Sequence, residues 1–259
     1  MSVRVEKLEF EYEDFSLRIE NLQFESSRIT SIVGPNGSGK TTFLKCIGGL
    51  LPIKKKSIFI DGQDISEMKG NKRARLIGYV PQEHGSLFNF SARDFVLMGR
   101  APYHSPFSLP SDKDIQIAEE ALEFVGLAAQ SEKPYFYFSS GERRLVLIAR
   151  SLAQRTDLLL LDEPTTFLDP KHEIEIMELV KKLAEEKKKT ILITLHSLEL
   201  ALQYSDDMVF MKTGRVFAFG KPEEILTESL LKNIYDIEMK IVGYDGKKFI
   251  LRSLSAKKN

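Results

Sequence analysis

A single cysteine, Cys46, stands in 259 residues, so no internal disulfide can staple the fold. Neither sign of charge is in excess, since 37 Lys and Arg face 37 Asp and Glu. That leaves no overall field to hold a polyanion, and no nucleic acid is expected as a partner. Long apolar runs are missing as well. The longest, such as Leu158 to Leu161, fall far short of the roughly 20 residues needed to cross a bilayer. The chain opens on strand-like alternation in place of the basic and apolar stretch of a signal segment. The expectation is a cytoplasmic protein that reaches a membrane, if at all, through a partner. No internal repeat or low-complexity tract interrupts the chain, and its length suits one large domain with a lobe inserted.

What is present is an alternation of strands and helices. VRVEKLEF (Val3 to Phe10) has the period of a half-buried strand, and Leu17, Ile19 and Leu22 mark a second. ITSIV (Ile29 to Val33) is a short apolar strand, followed by a glycine-rich turn and a helix expected from Phe43. IFIDGQDI and LIGYV add strands, the latter stopping at Pro81. From His84 to about Ala153 the pattern turns helical, over Ala92 to Gly99, Asp112 to Val125 and Glu142 to Ala153. This reads as a helical lobe, about 84–153, inserted in a single domain. DLLLLDEP then restores a strand apolar on both faces, and an amphipathic helix leads into the buried strand TILITLH. The cations Lys187 to Lys189 are expected at that helix's C-terminus, where the dipole favours them. MVFMKTGRVFAFG reads as a hairpin. The fold class is α/β, with a mixed, mainly parallel sheet flanked by helices and an antiparallel N-terminal part.

GPNGSGKTT, from Gly34 through Pro35, Asn36, Gly37, Ser38, Gly39, Lys40 and Thr41 to Thr42, fits G-x-x-x-x-G-K-[ST] between a strand and a helix. Glycines let successive N–H groups surround a phosphate, and the helix N-terminus adds positive charge. Lys40 supplies a cation to the outer phosphates, and Thr41 a hydroxyl to Mg²⁺. The alternative, a plain glycine turn, does not account for the strand and helix on either side.

Asp162 and Glu163 end a buried strand, at the edge where open α/β sheets bind ligands. Neighbours on a strand point opposite ways, so one carboxylate can serve Mg²⁺ through its water shell while the other orients or deprotonates an attacking water. Alone, such a pair more often caps a helix or makes a turn; with Lys40 present the chemical reading prevails. His196 ends TILITL at the same edge, although a lone histidine there is usually only a polar residue. Gln82 follows LIGYV and Pro81. Its amide oxygen suits Mg²⁺ or water, and an ordinary loop glutamine is the competing reading.

The order of the phosphate loop, Gln82, FSSGE (Phe138 to Glu142), LLLLDEP, FLD (Phe167 to Asp169) and His196 resembles the ATP-binding-cassette ATPases over nearly the whole chain. The resemblance implies ATP and Mg²⁺ as cofactors, with Mg²⁺ served by Thr41, Gln82 and Asp162. It implies Glu163 as general base, His196 as the γ-phosphate switch, and Tyr12, with Phe10 as competitor, as the residue stacked on adenine. It also makes FSSGE the signature loop, whose Ser139 and Gly141 complete the site of a second copy, with Asp169 making a contact across that homodimer. Independently, Ser139 and Gly141 precede a helix whose N-terminus can bind an anion, and Ser139 can be its N-cap. Two departures stand out: Ser140 where the family usually has glycine, and Phe138 in place of leucine.

RDFVLMGRAPYHSPFSLPSDKD (Arg93 to Asp114) is similar to the subgroup that imports iron chelates, haem and cobalamin. That similarity implies a membrane permease as partner, a binding protein acting indirectly, and a peripheral place on the membrane's inner face. Phe88, Phe90, Tyr103 and Phe107 are the first candidates for a permease-facing surface, with burial inside the lobe the competing reading for each. A soluble cassette protein for assembly or nucleic-acid handling would call for a zinc-hook cysteine pair, a long coiled coil, a second cassette or a basic stripe, none of which appears. A small-molecule kinase leaves FSSGE and His196 unexplained.

Overall fold

In the first strand the apolar residues Val3, Val5 and Leu8 are buried while Arg4, Glu6 and Lys7 face solvent. The alternation slips by one residue at Glu6 and Lys7, opposite Asn21, whose backbone is left-handed at φ 55°. The computed structural model describes residues 1–12, 14–82, 90–105, 108–244 and 247–252. β1 (Val3–Tyr12) pairs with β2 (Phe15–Phe24) and with β4 (Ile58–Ile60), which pairs with β5 (Gln63–Asp64), in one antiparallel sheet ordered β2-β1-β4-β5.

The second sheet is built on β3 (Ile29–Val33), β6 (Ile77–Val80), β7 (Leu158–Asp162), β8 (Thr190–Thr194), β9 (Asp207–Lys212) and β10 (Arg215–Gly220). Its order is β10-β9-β3-β8-β7-β6, parallel throughout except for the edge hairpin of β9 and β10. Every residue of β3, β7 and β8 is buried, as strands covered on both faces must be. Leu158 and Leu160 of β7 enter one core with α1 (Lys40–Ile47) and the antiparallel sheet. Leu159 and Leu161 enter the other core, with α5 (Ser140–Ala153) and α6 (Pro170–Glu185). Cys46 lies in the first core, where burial pushes its thiol up to about 12. Because β3, β6, β7 and β8 are parallel, their C-terminal ends meet at one edge of the sheet.

The remaining helices are α2 (Gly70–Ala74), α3 (Ala92–Leu97), α4 (Asp112–Phe124), α7 (Leu198–Tyr204), α8 (Pro222–Ile225) and α9 (Glu228–Tyr235), and β11 (Met239–Tyr244) with β12 (Lys247–Arg252) forms a last hairpin. α3, α4 and α5 pack together between β6 and β7 in chain order.

Some boundaries differ from the sequence reading. α1 starts at Lys40, three residues before Phe43, because Gly39 caps it with φ 98°. α5 starts at Ser140, because Ser139 is its N-cap and Glu142 closes a capping box. α3 stops at Leu97 and tightens into a 3₁₀ segment from Met98 to Tyr103 that contains Pro102. Two of the cations after α6 have partners outside that helix. Lys189 Nζ donates to Thr156 O at 2.5 Å, and the Lys187 ammonium sits 5.0 Å from the Phe124 ring centre.

Candidate functional site

A cleft of about 850 Å³ opens at the C-terminal edge of the parallel sheet, lined by the loop after β3, Gln82, Glu163 and His196. Phe10, Tyr12 and Phe15 form its apolar wall.

Gly34 leaves β3 at φ 155°, and a β-carbon there would come within 2.1 Å of Met211 O, so only glycine fits. Gly37 (φ 75°) and Gly39 (φ 98°) are left-handed, the alternation that curls consecutive N–H groups into an anion seat. Pro35, Asn36, Ser38 and Thr42 complete the loop, and Ser38 Oγ is buried without a hydrogen-bond partner. Lys40 is buried and donates from Nζ to Gly34 O at 2.9 Å and Pro35 O at 3.2 Å. Burial pulls its pKa below the usual lysine value, opposed by the charges of Glu163 and Asp162. The ammonium is thus parked on neutral carbonyls beside two carboxylates.

Asp162 closes β7 and is fully enclosed by hydroxyls. Thr41 Oγ1 and Thr194 Oγ1 donate to Oδ1 at 2.9 and 2.8 Å, and Tyr79 OH donates to Oδ2 at 2.9 Å. Glu163 lies past the strand end in the left-handed region, at φ 49°. The two carboxylates therefore diverge through a strained turn, and the strand pleat expected from the sequence is not the cause. Strain of this kind costs about 1–3 kcal/mol and persists where the surroundings over-determine it. Here they do: Glu163 N donates to Thr194 Oγ1 at 2.8 Å, His196 Nε2 lies 2.7 Å from Glu163 Oε1, and Gln82 Nε2 and Thr166 Oγ1 donate to Oε2.

Tyr12 is 63% exposed at the cleft mouth and not packed in the core. Its cross-strand partner is Phe15, whose ring backs onto Gly39 closely enough to bar a β-carbon there. Sequence reasoning missed Phe15; the signal was its place two residues before Leu17, where it begins the alternation that Leu17 and Ile19 continue. It also missed Tyr79 and Thr194, whose roles depend on register between neighbouring strands, and Phe167, which is 79% exposed at the cleft with φ 64°.

Ser139, Gly141 and Asp169 do not line this cleft. Ser139 caps α5, accepting from Glu142 N at 3.2 Å. Asp169 caps α6, accepting from Lys171 N and His172 N and meeting His172 Nδ1 at 2.6 Å. A β-carbon on Gly141 would stand 2.8 Å from that same His172 ring, so His172 joins Gly141 to Asp169, with Ser139 two residues before Gly141 at the same helix start. Phe138 is buried beneath the Lys133 ammonium, 4.4 Å from its ring centre. An aromatic thus fills the apolar seat that leucine was expected to take. Arg144 of α5 donates to Pro81 O at 2.8 Å, tying that helix to the Gln82 loop.

Of the four aromatics expected on a docking surface, Phe88 and Phe107 lie outside the described residues, and Phe90 is 37% exposed. Tyr103 is half-buried beside the end of α5. Its ring faces the guanidinium groups of Arg75 and Arg100 at 4.9 and 3.9 Å, and its hydroxyl donates to Gln154 O at 2.9 Å.

The donor set around Asp162 suits a hard divalent cation that brings its own phosphate ligands. Thr41 offers a hydroxyl, Gln82 an amide oxygen and Asp162 a carboxylate. Thr41 Oγ1 spends its hydrogen on Asp162 Oδ1, leaving an oxygen pair at the foot of the phosphate loop. Among the described residues no three His, Cys, Asp or Glu gather into a cage of their own.

Residues 17–166 match the family described as ABC transporter. A petrobactin import ATP-binding protein of Bacillus anthracis is 37% identical over 95% of this chain and 90% of its own length. An iron(3+)-hydroxamate import ATP-binding protein of Bacillus subtilis is 36% identical over 86% and 82%. Among solved structures, an inward-facing transporter assigned to the metal-chelate type aligns with TM-score 0.86 and 28% identity over 98% of both chains. A dimeric bacterial ABC transporter cassette aligns with TM-score 0.71 and 26% identity over 85% of this chain and 98% of that one.

Proposed function

The chain belongs to the ABC transporter family, and on that premise we propose that it is the ATPase subunit of an importer for a metal chelate of the iron siderophore, haem or cobalamin class. It binds ATP and hydrolyses it. One arrangement carries the chemistry: Glu163 is held between His196 and Gln82 beside the loop that contains Lys40. The import role is supported by relatives with that role along 95% of the chain.

On this reading the phosphates lie in the seat of Gly34 to Thr42 and draw the Lys40 ammonium off its carbonyls. Adenine stacks on the wall of Tyr12, Phe10 and Phe15. Glu163 takes the proton of the attacking water as its oxygen bonds to the γ-phosphorus and the bond to the ADP oxygen breaks. His196 holds Glu163 and meets the γ-phosphate, and Gln82 relays the state of that phosphate to the helices after β6. Mg²⁺, held by Thr41, Gln82 and Asp162, would neutralise the charge of the phosphates.

Ser139, Gly141 and Asp169 lie away from their own cleft and serve the nucleotide of a second copy. The working unit is a homodimer on the inner face of the membrane, closed by ATP and reopened by hydrolysis. The helical lobe, about 84–153, turns with Gln82 through the Arg144 link and moves a permease that receives cargo from a binding protein. No helix among the described residues is long and apolar enough to cross a membrane, so attachment runs through that permease. Co-expression with the permease, purification through it, and ATP-driven uptake of a ferric siderophore into vesicles test the reading. A subunit that never co-purifies and supports no uptake counts against it.

A further inference from the structure

Three hydroxyls from three elements converge on one carboxylate: Thr41 from α1 and Thr194 from β8 on Asp162 Oδ1, and, among the described residues, Tyr79 from β6 on Oδ2. Tyr79 is not needed there as packing alone. Its strand neighbours Ile77 and Val80 are buried, whereas Tyr79 is only partly so and reaches Asp162 with its polar end. The register explains the reach. Tyr79 lies opposite Leu160 on parallel β7, two residues before Asp162, so the long phenol spans what a shorter side chain would not.

We propose that Tyr79 is a positioning residue for the metal-serving carboxylate: by holding Oδ2 it fixes the rotation of Asp162 and reserves Oδ1, the oxygen shared with Thr41, for the divalent cation that arrives with ATP. The proposal rests on the assignment of Asp162 to that cation. When Thr41 turns its hydroxyl to the cation, Oδ1 keeps one donor, Thr194, and Oδ2 keeps Tyr79. The carboxylate then has one fixed hydrogen bond on each oxygen and no freedom to swing. Tyr79 also stands three residues before Gln82, so β6 supports Asp162 and Glu163 at once.

The test uses the full chain in a Glu163→Gln background, so that ATP persists, with Mn²⁺ as the probe read by electron paramagnetic resonance. Tyr79→Phe keeps the ring and removes the donor. Loss of such an outer partner should weaken Mn²⁺ binding in the ATP complex about ten-fold and broaden its spectrum. ATP affinity measured in EDTA should stay unchanged, which a general structural defect would not allow. In an Asp162→Asn background, adding Tyr79→Phe should change nothing more, since the tyrosine acts through the carboxylate. Equal Mn²⁺ affinity and identical spectra for tyrosine and phenylalanine overturn the proposal while leaving the metal assignment intact, and equal losses with and without metal also overturn it. If the parent takes up no Mn²⁺ with ATP, the assignment of Asp162 falls and the proposal with it.

Discussion

His196 Nε2 stands 2.7 Å from Glu163 Oε1, with Gln82 bound to the other carboxylate oxygen. Residues from the ends of β6, β7 and β8 thus meet at one carboxylate. The strained backbone of Glu163 is held by these partners, which preorganises a base that need not reorient during the reaction.

Glu163→Gln should keep ATP binding and lose hydrolysis by at least about 100-fold, since the amide preserves shape but not basicity. Phosphate release measured beside equilibrium ATP binding checks this. Turnover near that of the parent would remove Glu163 from the base role.

Lys40→Ala should weaken ATP binding on the order of 100-fold, because no other cation lies within the loop to replace a buried charge facing phosphate. Titration with a fluorescent ATP analogue gives the answer. Binding within a few-fold of the parent would mean that the loop's N–H groups suffice.

Ser140→Gly should leave turnover equal or higher. Ser140 is exposed at the first turn of α5, while the cap is supplied by Ser139 and Glu142, so the change touches neither cap nor core. A marked fall in turnover would give Ser140 a role of its own at the surface proposed to meet the second copy.

The sheet edge was legible because β3, β6, β7 and β8 are short and largely apolar. Lys40 was read from its glycine-rich motif and Glu163 from the acidic pair that follows an apolar run, while Gln82 and His196 took their roles from the family resemblance. Tyr79, Thr194 and Phe15 were not found, since each acts through a neighbouring strand and register is not written in any one segment. Tyr103 is half-buried, with Arg100 of its own 3₁₀ segment and Arg75 from beyond α2 against its ring, and the second of these contacts is not written in the segment. The start of α1 was misplaced because Gly39 in the left-handed region caps a helix without a side chain to announce it.

The last prediction concerns the buried ion pair that joins the 3₁₀ segment to α4. Asp114 accepts from Arg100 Nε at 2.9 Å and from Ser111 N at 3.0 Å, and both charged side chains are buried. The Ser111 hydroxyl bond, with Arg100 behind it, holds the Asp114 carboxyl far below the usual carboxylate range against the cost of burial. A carboxylate depressed in the folded state stabilises the fold above its unfolded pKa, and that contribution is lost as pH falls toward the folded value. Asp114→Asn should therefore cost about 2 kcal/mol at neutral pH, the scale of a hydrogen bond to a charged group. The gap between parent and variant should stay full down to about pH 4 and narrow below it. Urea midpoints measured at steps from neutral to acid pH would follow this, and a gap that stays constant through the acid range would show that Asp114 stabilises the lobe by shape and not by charge.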